Sequence, residues 1–150
     1  MRTLLMLAIT ALVPGGAARA DAAALLQAGA YEVSVRLELP HLEDAGATRT
    51  VTICVSTEGA AGTHGLVVLS ENNPLTRCPA TNARQQGDTL TFDIVCPGGN
   101  AAVASARYVL GPDTFQGRIA MKMGGKNMTM TETQSGRRVG TCPAADKPPA

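Results

Sequence analysis

Apolar and polar residues alternate along most of this chain with a period of two, the spacing of strands that bury one face. The clearest run sets Tyr31, Val33, Val35, Leu37 and Leu39 against Glu32, Ser34, Arg36 and Glu38, and Pro40 stops it. Thr48 to Val55 repeats the pattern, with Val51, Ile53 and Val55 on one face and Thr50, Thr52 and Cys54 on the other. These two runs predict a hairpin. Leu66 to Leu69 is a brief apolar run that predicts an edge strand. Cys78 to Gln86 and Thr89 to Cys96 predict a second hairpin around Gly87-Asp88, with Leu90, Phe92, Ile94 and Cys96 on one face. Ala101 to Leu110, Thr114 to Met123 and Asn127 to Gln134 are further strands, and Ser135-Gly136 reads as a turn before a last strand, Arg137 to Cys142. Gly, Pro, Asn and Asp separate the runs, and only Ala22 to Gln27 suggests a helical turn. The pattern predicts an all-β antiparallel meander forming a curled, barrel-like sheet, with a β-sandwich as the alternative.

The stretch Met121 to Met130, MKMGGKNMTM, predicts two strand ends joined by Gly124-Gly125-Lys126-Asn127. A four-residue turn sets Met123 opposite Met128 and Met121 opposite Met130. Directly opposed residues share a face, so the four thioethers continue the apolar line of Phe115 and Ile119. Methionine fills irregular core gaps, and that is the expected use of these four. The rival use is a soft-metal site, because thioethers select Cu(I), but no His or Cys falls inside the hairpin to complete a ligand set.

The first residues carry Arg2, an apolar run from Leu4 to Val13, and Ala18-Arg19-Ala20. This is the order of a secretory signal peptide, with cleavage expected after Ala20 and a periplasmic or secreted product. The run is too short to span a bilayer. Without Arg2 and Arg19 the chain keeps eleven basic residues against twelve acidic ones, a formal charge of −1. No basic stripe appears along the sequence, so nucleic acid is not an expected partner. A single domain is expected over residues 21–142, with a disordered Pro- and Ala-rich tail over 143–150. Aromatic residues are limited to two Tyr and two Phe, so the core must lean on Val, Leu, Ile, Ala and Met.

Cys54, Cys78, Cys96 and Cys142 are the four cysteines. In a small exported chain they imply two disulfides, for which three pairings exist. If a three-residue loop, Gln86-Gly87-Asp88, closes the second hairpin, Cys78 faces Cys96 directly; a loop of even length offsets them by one residue. Cys78–Cys96 is preferred on that basis, leaving Cys54–Cys142. No C-x-x-C or His-adjacent spacing suggests zinc. His41 and His64 both fall in loops, and Glu43-Asp44 reads as a solvated turn. Arg107, Arg118, Lys122 and Glu132 are expected on outward strand faces, in cross-strand ion pairs of small worth. No nucleophile elbow, phosphate loop or zinc-protease helix occurs.

Five features in order resemble the bacterial domain-of-unknown-function family 3617 over residues 27–142. They are Gly29-Ala30-Tyr31-Glu32-Val33, with Tyr where Trp is more usual; Thr52-Ile53-Cys54-Val55-Ser56-Thr57-Glu58; the hairpin bracketed by Cys78 and Cys96; Phe115-Gln116-Gly117 running into the Met/Thr hairpin; and the run from Gly136 to Cys142, with Thr141 where Asp is common. The resemblance implies an exported β-rich domain and carries no established activity or site. The expected function is a monomeric, non-catalytic envelope domain without a cofactor, binding a small apolar ligand or an envelope protein. A Met-based Cu(I) handling protein, using Met121, Met123, Met128 and Met130, is the alternative.

Overall fold

The computed structural model describes residues 26–40, 46–57, 62–98, 101–124 and 128–143. The expected leader, the expected Ala22–Gln27 turn up to residue 25, His41 and Glu43-Asp44, residues 125–127 between the methionine strands, and the expected tail beyond Pro143 lie outside them. Seven strands form one antiparallel sheet: β1 (Gly29–Glu38), β2 (Thr48–Val55), β3 (Ala80–Gln86), β4 (Thr89–Val95), β5 (Val103–Leu110), β6 (Thr114–Met123) and β7 (Met128–Gly140). Their order across the sheet is β2-β1-β7-β6-β5-β4-β3. The fold is therefore all-β, a curled antiparallel meander that does not close.

This order puts β2 and β3, joined by residues 56–79, on opposite edges. Across a flat sheet the link would span six strand spacings, roughly 29 Å. The sheet instead curls around it. His64 bridges the two edges: the Ser56 N–H donates to His64 O at 3.1 Å, and His64 Nε2 is hydrogen-bonded to Gln85 Oε1 on β3 at 3.1 Å. The remainder, here called the strap (residues 66–79), packs against the inner face through buried Leu66, Val68 and Leu75. Leu66 to Leu69 is thus not an edge strand. Its buried residues face the core, but its backbone groups bond side chains of the sheet rather than a neighbouring strand.

The inner face carries all four aromatics in one string. Ring centroids are 5.7 Å apart for Tyr31–Phe115, 5.8 Å for Tyr108–Phe115 and 5.8 Å for Phe92–Tyr108. Two mid-strand glycines make room for them. Tyr108 lies directly opposite Gly117 and Phe115 directly opposite Gly136, and a Cβ on either glycine would collide with the facing ring. This explains why Ser135-Gly136 is not a turn. Ser135 pairs with Ser34 and Gln116, Gly136 with Val33 and Phe115, and β7 runs unbroken for 13 residues. The glycine serves ring packing, the usual reason for one inside a strand.

Both disulfides join strand ends: Cys54 of β2 to Cys142 just beyond β7, with Cα atoms 5.6 Å apart, and Cys78 just before β3 to Cys96 just after β4, 4.8 Å apart. Their sequence separations, 88 and 18, correspond to about 4.6 and about 3.2 kcal/mol of loop-closure entropy removed from the unfolded chain. The Cys78–Cys96 pairing arises differently from the expected three-residue loop. Gln86 pairs with Thr89 around a two-residue turn, which by itself would set Cys78 out of step. A bulge between Thr81 and Arg84 shifts the register by one residue, with Asn82 left-handed at φ 55. Asn tolerates that conformation, and the shift brings Cys78 opposite Cys96.

Candidate functional site

Strand β7 turns Met130, Glu132, Gln134 and Gly136 inward, so Glu132 does not lie on the outward face where its charge had placed it. It is fully buried, and Gln134 is nearly so. Glu132 Oε1 accepts from the Leu69 N–H at 2.8 Å, and Oε2 from the Ser70 N–H at 2.9 Å. Gln134 Nε2 donates to Glu132 Oε1 and, at 2.8 Å, to Val67 O. Gln134 Oε1 in turn accepts from the Tyr108 hydroxyl at 3.0 Å. Burial, with a smaller contribution from the Glu132 charge, pushes the Tyr108 phenol far above its ordinary range. Every member of this buried chain is partnered, the condition under which a polar network rigidifies a core rather than weakening it.

The network is a clamp. Three strap residues, Val67, Leu69 and Ser70, lend backbone groups that a strand would have satisfied, and two side chains of β7 satisfy them instead. Two further residues, Asn73 and Arg49, extend it. Asn73 Nδ2 donates to Ser70 Oγ at 3.0 Å and to the Met121 sulfur at 3.2 Å, while Asn73 Oδ1 caps the 3-10 turn Pro74–Arg77 through the Leu75 N–H. Arg49 Nη2 donates to Leu69 O at 2.7 Å, and its guanidinium pairs with Glu71.

The methionines take the register expected of them: Met121 opposite Met130, Met123 opposite Met128. Their depths differ. Met121 is buried, Met123 and Met130 are half-buried, and Met128 is 47% exposed. Arg107, Arg118 and Lys122 lie on the outer face, and Arg118 pairs with Glu38 at 3.3 Å. Among the described residues no group of three or more His, Cys, Asp or Glu side chains gathers to hold a metal.

The interior of the curl is filled by the strap and the aromatic string. One apolar pocket of about 290 Å³ remains beside Leu66, Leu75, Phe92 and Ile94. The outer face carries a larger, open groove of about 640 Å³ over β1, β6 and β7, of mixed lining that includes Ser34, Gln116, Ser135 and the apolar Val109. Sequence reasoning missed Gln134, Tyr108, Asn73 and Arg49 as a set. The signal for Gln134, and for the misplaced Glu132, was present: extending the alternation of Met128 and Met130 by two and four residues places Glu132 and Gln134 on the same face.

The family described as protein of unknown function, DUF3617, matches residues 26–142. The chain belongs to that family. No curated protein and no solved structure gives a match. The DUF3617 match ends on Cys142, so it takes in both disulfides, the strap and its clamp. Among the described residues no helix is long and apolar enough to cross a membrane.

Proposed function

We propose that this DUF3617 protein is an exported, non-catalytic binding domain of the cell envelope that engages its partner through the outer face of the sheet. One observation carries this reading: the inner face is sealed by the protein's own clamped strap, whereas the outer face is broad, largely polar and, among the described residues, uncovered. A lumen already occupied by Leu66, Val68 and Leu75 leaves little room for the small apolar ligand that a curled sheet otherwise suits. The two disulfides support an oxidising compartment, in keeping with the leader-like first twenty residues. The methionine hairpin serves the core in this account, with Met121 already engaged by Asn73.

Site-specific photo-crosslinking in the native cell tests the reading. A photoreactive phenylalanine analogue at Ser135, in the centre of the outer face, is expected to give a discrete adduct. The same probe at exposed Arg77, on the strap side, is expected to give none. Absence of any adduct from Ser135, or native protein recovered in the cytosol with four free thiols, contradicts it.

A further inference from the structure

The cross-strand register sets four arginines of the outer face on one transverse row. Arg36 pairs with Thr133, Thr133 with Arg118, Arg118 with Arg107, Arg107 with Thr91, and Thr91 with Arg84. The row crosses the sheet from β1 to β3 with only threonines between the arginines. Adjacent strands lie about 4.8 Å apart, so cationic side chains recur every 5 to 10 Å or so along it. Arg118 and Arg107 are directly opposed, an arrangement that costs stability rather than adding to it. Arg118 is partly compensated by Glu38. Arg84 and Arg107 have no hydrogen bond or ion pair among the described residues. Over the strands, the outer face presents six cationic side chains against three carboxylates, Glu32, Glu38 and Asp93. Of these, Glu32 is paired with Arg137, and Asp93 accepts from Ser105 and Asn82. A chain with near-zero overall charge has concentrated its surplus on one surface.

The side chains around the row restrict what would bind there. The next rung holds Thr50, Ser34, Ser135, Gln116, Val109, Thr89 and Gln86, hydrogen-bonding groups at every place but Val109. All four aromatics point inward, so the face offers no stacking platform for nucleobases and no aromatic anchor of the kind that dominates protein interfaces. Guanidinium groups bind carboxylate or sulfate bidentately, and flanking hydroxyls and amides suit a hydroxyl-rich chain. From this we infer that the outer face binds an anionic polysaccharide, laid across the strands along Arg36, Arg118, Arg107 and Arg84. The inference rests on the outer-face reading above and names the partner's chemistry.

The test uses the disulfide-intact chain, immobilised, with polygalacturonate, dextran sulfate, uncharged dextran and poly-glutamate as probes. Binding of at least one anionic polysaccharide is expected, falling steeply with salt as counterion release requires, with none to dextran. An R84Q/R107Q double variant should bind at least tenfold more weakly, and R77Q, which removes an exposed charge from the strap side, should bind as the parent does. Because Arg107 opposes Arg118, the double variant should melt no lower than the parent, which separates lost binding from lost folding. If it does melt lower, R107K serves as the second variant: it keeps the charge but not the guanidinium fork, and is expected to weaken binding several-fold. Equal binding by parent and R107K overturns the inference, as does equal loss in R77Q or R84Q/R107Q. A preference for poly-glutamate over both polysaccharides overturns the glycan class. Failure of every anionic probe while the Ser135 crosslink persists overturns this inference and leaves outer-face docking standing.

Discussion

Replacing Glu132 with Gln changes one oxygen to an amine and keeps the shape of the side chain. In the parent both oxygens are acceptors, taking the Leu69 and Ser70 N–H groups and one Gln134 amine hydrogen. The substituted amide keeps one oxygen. Its best orientation retains Leu69 and Gln134 and turns its amine toward the Ser70 N–H, donor against donor. Two buried donors then lack acceptors, at about 1–3 kcal/mol each, so a loss of about 2–6 kcal/mol is expected. Glu132→Leu removes all three acceptances at once and should cost about 3–5 kcal/mol, the range for breaking a buried charged contact. Against a whole-domain stability of about 5–15 kcal/mol these are large changes. Urea denaturation with the disulfides intact reads them: for a slope of about 2 kcal/mol/M, the midpoint of Glu132→Gln falls by about 1–3 M. Trypsin should also cleave after exposed Arg77 faster in the variant, because the strap opens before the sheet does. A midpoint within the scatter of ordinary surface substitutions, about 0.5 kcal/mol, would refute the clamp as a source of stability.

Three further outcomes follow from the packing. Gly136→Ala forces a methyl group into the Phe115 ring; the overpacking loss of about 1–3 kcal/mol exceeds the entropic gain of a Gly-to-Ala change, and thermal unfolding should register a lower midpoint. Tyr31 and Tyr108 both have phenols raised above 10.0, chiefly by burial. The fold therefore holds protons that the unfolded chain releases, and its stability is full below about pH 10 and declines above it, by at most about 1.4 kcal/mol per pH unit for each tyrosine. With no Trp and only these two Tyr in the chain, phenolate absorbance should rise together with unfolding; a phenolate appearing in the intact fold would contradict their burial. Anaerobic Cu(I) titration should find the parent no better than a variant with Met121, Met123, Met128 and Met130 changed to Leu, and tight binding by the parent alone would reassign the hairpin.

Much of this architecture was legible because alternation survives wherever a strand buries one face. Strand β2 runs Thr48–Val55 as its pattern indicates, and the methionine register follows from turn length alone. What was hidden has a physical cause in each case. Glu132 breaks the expectation that charge faces water, and only the period of β7 points inward. The strap's Leu66–Leu69 has the composition of a strand; what distinguishes it is that Val67 O and the Leu69 N–H find their partners on β7 side chains more than sixty residues away. Gly136 imitates a turn residue because the ring that needs its space, Phe115, lies on another strand. The one-residue shift at Asn82 leaves no mark in composition, yet it sets which cysteines meet. The transverse row of Arg36, Arg118, Arg107 and Arg84 is likewise invisible along the chain, since register across β1, β3, β5 and β6 assembles it.

The strap held by side chains in place of a neighbouring strand is the feature on which this account turns, and amide hydrogen exchange followed residue by residue tests it most directly. The Leu69 and Ser70 amides lie in no strand, yet they are expected to exchange as slowly as amides in the centre of β1 and β7, and to lose that protection in Glu132→Gln while the strand amides keep most of theirs. Exchange of Leu69 and Ser70 at the rate of an open loop in the parent protein would contradict it.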